Sequence, residues 1–279
     1  MPIHYARRLT GRRRTSDSNR HLGFALAFVA GATNAGGFLA VHQYTSHMTG
    51  MVSGMADNLV LGDYAPVIAA GGAILSFLLG AACTAIMVNF ARRQRMTSQF
   101  ALPLLLEALL LVCFGVLGAR LAAVEAMFVP LTVMLLCFLM GLQNAVITKI
   151  SHAEIRTTHL TGNVTDIGIE LGKLVYWNMD KADRAGKVMA NRPRLQMLSL
   201  LVLFFFLGGV VGAVGFKHFG FLSTVPLALV LIALATVPTM DDLVRLRRKL
   251  LRQRAVGGLL GLAQPERIGN DRDRTEAHR

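Results

Sequence analysis

Six long apolar runs, separated by short polar segments, make up most of the chain. They span about residues 22–42, 65–90, 100–119, 127–149, 195–216 and 221–238. Each run approaches or exceeds the ~20 residues that an α-helix needs to cross the hydrocarbon core of a bilayer. The pattern therefore predicts an all-α integral membrane protein with six transmembrane helices.

The composition agrees with a membrane protein. Only 16% of the residues are charged, whereas about a quarter are charged in a typical soluble domain. The formal net charge of +13 could indicate a nucleic-acid partner. However, the basic residues lie in the tails and alternate loops, with few aromatic residues between them. We therefore attribute them to membrane orientation and expect no nucleic acid as a partner.

The positive charges also predict the orientation. Basic residues concentrate in the tails 1–21 and 241–279 and in the loops 91–99 and 150–194. Between them lie the loops 43–64, 120–126 and 217–220, which hold only Arg120 and Lys217. Cytoplasmic loops are enriched in Lys and Arg. We expect a multi-pass protein of the bacterial inner membrane with both tails in the cytoplasm.

One tetrapeptide motif occurs twice. His47-Met48-Thr49-Gly50 returns as His159-Leu160-Thr161-Gly162, and the apolar runs that precede the two motifs also match, with residues 110 positions apart. We interpret this as two copies of one unit, a first membrane repeat at 22–126 and a second at 127–240. Three spans per copy is an odd number, so the two copies would be inverted relative to each other.

A short amphipathic segment follows each motif. Segments 51–61 and 163–174 would form helices of only ~16–18 Å, too short to cross a bilayer. Asp57 belongs to the polar stripe of the first, and Asn163, Asp166 and Glu170 belong to that of the second. The segments are either interfacial helices with solvated charges or re-entrant half-helices whose polar stripes face a shared cavity.

The Thr-Gly pairs suit the start of a short helix. Thr49 and Thr161 are predicted to cap the first turn, and Gly50 and Gly162 permit a turn or close approach to a ligand. Free N–H groups at such a position favour anionic or polar ligands.

Three ionisable residues are candidates for a functional role. His47 and His159 could relay protons, contact a substrate or form structural hydrogen bonds. No cysteine and no second histidine is suitably spaced for a metal site, so we expect no metal. Glu107 lies at the centre of the third apolar run, where an ionisable group is costly and turns toward the bundle interior. It either functions there or bonds a neighbouring helix.

Amide side chains occur at matching places in the two copies. Asn34 lies in the first run, and Gln143 and Asn144 lie in the corresponding run of the second copy. Such amides either hydrogen-bond between helices or line a substrate path near the repeat axis. The candidate pathway residues are therefore Asn34, His47, Thr49, Gly50, Asp57, Glu107, Gln143, Asn144, His159, Thr161, Gly162, Asn163, Asp166 and Glu170.

The sequence holds no recognisable catalytic motif. It lacks a nucleophile elbow, a phosphate-binding loop and a zinc signature, and its three cysteines all lie inside apolar runs. We expect no catalytic residues and no cofactor.

Two signatures resemble those of the YoaK-like bacterial membrane proteins. The first combines 30–38 with 47–50, and the second combines 141–145 with 158–163. Met51 stands where the resemblance implies an asparagine. The resemblance covers about 22–240 and implies a multi-pass membrane protein without an assigned function.

Together these patterns favour a small secondary transporter built from inverted repeats, with a small molecule or an ion as its substrate. A membrane-embedded enzyme and a non-transporting scaffold or regulator are the alternatives. The expected partners are the lipid bilayer, the substrate and, as one possibility, a second copy of the chain.

Overall fold

The computed structural model describes residues 16–94, 96, 99–121, 125–150, 158–176, 188–236 and 240. These residues form helices and turns, with no β-strand among them. The helices are α1 (Ser16–Val41), α2 (Met48–Leu61), α3 (Tyr64–Arg93), α4 (Ala101–Leu121), α5 (Glu125–Ile150), α6 (Leu160–Val175), α7 (Arg192–Phe219) and α8 (224–236). A 3₁₀ turn, Gly220–Ser223, separates α7 from α8. The predicted all-α fold is confirmed.

The six apolar runs coincide with α1, α3, α4, α5, α7 and α8, and the two short segments coincide with α2 and α6. The main difference is that α1 begins at Ser16, inside the predicted tail 1–21. Serine and aspartate are favoured at helix starts, which explains why the helix extends beyond its apolar part. The rest of that tail, and the tail 241–279, lie outside the described residues.

Four segments of the described chain are long and apolar enough to cross a membrane. They are Arg20–Val41, Tyr64–Arg93, Val129–Ile150 and Arg192–Thr236. The last segment has 45 residues and contains two of the predicted runs. At ~1.5 Å per residue a single helix of this length would far exceed the ~30 Å bilayer core. In α4 the apolar part is Ala101–Val116, which is shorter than a full span.

Two helices form the centre of the bundle and two lie at its surface. In α1 and α5, 61% of the apolar window is buried, against 22% in α3 and in the segment that contains α7. The exposed apolar side chains of α3 and α7 include Ile68, Leu75, Leu78, Leu79, Ile86, Leu203, Phe206, Leu207, Val210, Val211 and Val214. An apolar surface of this extent is suited to lipid rather than water, which indicates a membrane-embedded protein.

Each central helix packs in parallel against one surface helix. Phe24 of α1 stacks on Phe204 of α7 at 5.3 Å between ring centroids. Further along the same pair, a Cβ built on Gly208 would lie 2.0 Å from the Phe28 carbonyl oxygen. Residue numbers therefore increase together along α1 and α7. Such close backbone approach requires glycine and is typical of helix contacts in membranes.

The pair α3 and α5 repeats this arrangement. A Cβ on Gly80 would lie 2.1 Å from the Phe138 carbonyl oxygen, and Thr84 Oγ1 donates a hydrogen bond of 2.9 Å to the Leu142 carbonyl. Phe138 stands 110 residues after Phe28, and Gly80 stands 128 residues before Gly208. The same two offsets relate the other close contacts of the pairs, which are those of Gly31 and Gly212 in one and those of Gly141 and Thr84 in the other.

The charged residues at the helix ends are unevenly distributed. Arg92 and Arg93 end α3, Lys149 lies in the last turn of α5, and Arg192 and Arg194 begin α7. These ends lie together, because α1 runs parallel to α7 and α3 runs parallel to α5. We call this the basic end. At the other end, where α1 stops and α3 and α5 begin, the segment 42–63 contains no Lys or Arg.

Candidate functional site

The two short helices begin inside the bundle, beside the long helices that precede them. Ser46 Oγ donates a hydrogen bond of 2.9 Å to Asn34 Oδ1, and Asn34 lies about 10 Å of helix before the end of α1. Thr158 Oγ1 donates to Asn144 Oδ1 of α5 in the same way. After each long helix, the chain therefore returns toward the bundle centre before the short helix starts. The two asparagines hold these returns in place.

The predicted threonine caps are wrong. His47 and His159 are the N-cap residues of α2 and α6, and neither side chain makes a capping hydrogen bond. Thr49 and Thr161 lie one residue inside the helices and are exposed. The reason is that the return is fixed by Ser46 and by its counterpart Thr158, so each helix starts one residue earlier than predicted.

The outward faces of the short helices are apolar. Val164, Ile169, Leu171 and Leu174 of α6 are exposed, whereas Glu170 of the predicted polar stripe is only 3% exposed. An interfacial helix directs its polar face to water, and α6 does the opposite. Together with the inward start of the helix, this favours the re-entrant interpretation over the interfacial one.

A cavity of about 390 Å³ lies beneath α2. Its described lining comes from the loop before α2 and from the helices α2, α3 and α5. The lining residues are Gln43, Tyr44, His47, Gly50, Met51, Gly54, Asn58, Pro66, Ala69, Ala70, Ala73, Val129, Pro130, Val133 and Met134. The cavity is at the end of the bundle opposite the basic end.

Gly50 is required at the cavity because His47 folds back over the first turn of α2. A Cβ on Gly50 would lie 2.2 Å from Cδ2 of the imidazole. At Gly162, the matching position of α6, nothing lies within 4 Å of such a Cβ. The close approach predicted for both glycines is thus found in the first copy only, and the approaching group is the histidine ring.

The packing beneath α6 is different. Asp166 Oδ2 forms an ion pair of 2.9 Å with Arg194 of α7. Glu170 accepts hydrogen bonds from Lys173 Nζ at 2.9 Å and from the Asn191 backbone N–H at 2.7 Å. These bonds, together with the nearby positive charges of Lys173 and Arg194, hold the pKa of the Glu170 carboxyl below its ordinary value. The polar stripe of α6 thus fastens this helix to the beginning of α7.

Two buried side chains have polar atoms without partners. Glu107 is 1% exposed, and its Oε2 has no hydrogen-bond partner among the described residues. Gln143 donates from Nε2 to the Leu26 carbonyl of α1 at 3.2 Å. Its Oε1 has no partner in the described part of the chain. Glu107 therefore lies in the bundle interior as predicted, while Gln143 joins the two central helices.

The structure brings only part of the predicted set together. His47 and Gly50 line the cavity, whereas Asp57 is exposed and His159, Thr161 and Gly162 lie by α6. Asn163 is buried and its backbone N–H bonds the His159 carbonyl. Among the described residues, the two motifs do not share a cavity. The sequence interpretation missed the alanines of α3, which resemble ordinary packing residues.

The sequence model of one protein family, described as Protein of unknown function (DUF1275), matches residues 22–237. The chain belongs to this family. The match covers the helical bundle and confirms the resemblance to YoaK-like membrane proteins. DUF1275 names no substrate or reaction, so the family supports the membrane assignment alone. Neither the curated proteins nor the solved structures contain a match to the chain.

Proposed function

We propose that the protein is a secondary transporter of the bacterial inner membrane that moves a small molecule or an ion. The observation that carries the proposal is a difference between two related places. The contacts of α1 with α7 recur between α3 and α5 at constant offsets, yet a cavity lies beneath α2 and ion pairs lie beneath α6. A transporter that alternates between two sides needs one open and one closed half of this kind.

The proposed architecture is six crossings in two inverted three-helix repeats. The first repeat is α1, α3 and α4 with the half-helix α2, and the second is α5, α7 and α8 with the half-helix α6. The matching return turns at Asn34 and Asn144 support this assignment. So do the N-caps of α3 and α7, Asp63 and Asn191, which are 128 residues apart.

The proposed orientation places the basic end in the cytoplasm, because positively charged loops remain on that side. The cavity then opens toward the outside, and the ion pairs of α6 close the cytoplasmic side. In these terms the described conformation is the outward-facing one, and breaking the ion pairs would favour the other.

Glu107 is the group that we propose for proton or cation coupling. A buried carboxyl without a partner for one oxygen is costly. Binding a proton or a cation there would relieve that cost.

The test is side-specific labelling in a variant in which Cys83, Cys113 and Cys137 have been replaced. Single cysteines are introduced at Ala69 in the cavity and at Met197, the residue 128 positions later in α7. Asp166→Asn combined with Glu170→Gln releases α6. We expect Met197→Cys to label faster from the cytoplasmic side and Ala69→Cys to label more slowly from outside. Asp57→Asn, which removes an exposed charge from α2, is the matched control and should change neither rate.

Faster labelling at both positions would mean general loosening and would contradict alternation, as would no change at either. Proteoliposomes incubated with a metabolite extract give the second measurement. Accumulation of a solute only under an ion gradient supports transport. Chemical conversion of a solute without a gradient would indicate the membrane-embedded enzyme instead.

A further inference from the structure

The cavity beneath α2 exists because small residues occupy positions that are large in the other half. At an offset of 128, Ala69, Ala70 and Ala73 of α3 correspond to Met197, Leu198 and Leu201 of α7. Leu198 and Leu201 are 2% and 1% exposed, so the second half fills this space with side chains.

Charged partners show the same contrast. Gly54 and Pro66 line the cavity. At offsets of 112 and 128 they correspond to Asp166 and Arg194, which form the ion pair beneath α6. The hollow in the first half is therefore specified by its sequence at several positions on two helices.

The chemistry of the lining limits what can bind. The described lining includes no Asp, Glu, Lys or Arg, and its polar side chains are Gln43, Tyr44, His47 and Asn58. Asn58 already donates from Nδ2 to the Gly54 carbonyl at 2.7 Å, so its Oδ1 remains available as an acceptor. An ion bound here would lose water without gaining an oppositely charged side chain, which is unfavourable.

Most of the remaining lining is apolar. Ala70, Ala73, Val133 and Met134 present methyl and thioether groups from two helices. A volume of about 390 Å³ is within the range of small-molecule sites. Apolar walls with a few polar side chains are the usual composition of such sites.

We propose that this cavity is the binding site for a small neutral molecule that has an apolar body and one hydrogen-bonding end, such as an alcohol, a phenol or an amide. The apolar body packs against α3 and α5, and the polar end bonds the side chains of Gln43, Tyr44 or His47. The inference rests on the proposed function, for which it names the substrate class. Its test uses no gradient, so failure of binding and failure of transport are distinguishable.

The test measures the labelling rate of Ala70→Cys in the cysteine-replaced protein in lipid nanodiscs. The probes are benzyl alcohol, benzoate and benzylammonium, which share a ring and differ in charge. We expect benzyl alcohol to slow labelling about threefold at twice its Kd, by mass action. The two ions at the same concentration should leave the rate unchanged. Ile68→Cys, on the exposed face of α3, is the matched control for effects of benzyl alcohol on the lipid.

Filling the cavity with residues of the other half tests the location. Ala73→Leu should abolish the protection of Ala70→Cys, and Ala69→Met, at a more exposed position, serves if the first variant does not fold. Equal slowing by all three compounds, equal slowing at Ile68→Cys, or protection that survives both substitutions would each overturn the proposal. Slow labelling in nanodiscs without any compound, but fast labelling in detergent, would show a lipid chain in the cavity and would also overturn it.

Discussion

Glu107 combines features that few residues of a lipid-facing bundle share. Its carboxyl lies in the interior, and one oxygen has no partner among the described residues. Insertion scales place the cost of an ionisable residue at the centre of a span at about 2.5–3.5 kcal/mol. A side chain retained at that cost needs either a structural bond or a function.

We predict that Glu107→Gln preserves the fold and removes the pH dependence of transport, because glutamine keeps the shape and hydrogen-bonding capacity but cannot titrate. Thermal unfolding and uptake between pH 5 and 8 check this. Asp63→Asn, which changes an exposed carboxyl at the start of α3, should leave the pH profile intact. An unchanged profile in Glu107→Gln would assign the residue a structural role.

Single residues show best where the sequence was sufficient. Asn34 and Asn144 were identifiable because the repeat marked them, and they occupy equivalent positions. Thr49 and Thr161 were misassigned because the sequence does not reveal that Ser46 and Thr158 anchor the turns. Alanine carries no chemical signature, so the cavity became apparent only when α3 was compared with α7.

At the scale of helices, close backbone contacts hold the central pairs together. A Cβ on Gly141 would lie 2.0 Å from the Phe77 carbonyl oxygen, so the helices must separate to admit it. We predict that Gly141→Ala lowers the free energy of unfolding by about 1–3 kcal/mol, as overpacking does. In Gly168→Ala of α6 the new methyl group meets open space. There we expect no loss, and a gain of up to ~1 kcal/mol from helix propensity. Equal effects of the two substitutions in thermal unfolding would contradict the tight pairing of α3 and α5.

The contact between α6 and α7 depends on pH through Glu170. Since the folded state lowers the pKa of this carboxyl, its stabilisation is present above the ordinary carboxyl value of about 4.3 and disappears as the pH falls through the lowered value. We predict that Glu170→Gln destabilises the protein at pH 6–7 and that the difference from the parent vanishes below about pH 4. Unfolding temperatures of the two proteins across this range provide the measurement. A difference that persists in acid would mean that the carboxylate does not secure α6.

The positions of the helices were predictable because apolar length is a direct consequence of bilayer thickness. The packing partners were not, since nothing in the apolar pattern says that α1 pairs with α7 rather than with α3. The glycines carried that information, but glycine is common in membrane helices and becomes informative only when its neighbour is known.

For the whole molecule, the distribution of charge makes the strongest claim. If the basic end is cytoplasmic, Arg93 at the end of α3 faces the cytoplasm and Tyr64 at the start of α3 faces outward. We predict that, in the cysteine-replaced protein in intact cells, a membrane-impermeant maleimide labels Tyr64→Cys. The same reagent should label Arg93→Cys only after the membrane is permeabilised, because the positive-inside rule keeps that loop in the cytoplasm. Both positions are exposed, so access rather than burial decides the outcome. Labelling of Arg93→Cys in intact cells would reverse the bundle and turn the cavity toward the cytoplasm. Labelling of both positions from outside would mean that α3 does not cross the membrane, and the inverted repeat would then be excluded together with the transport cycle built on it.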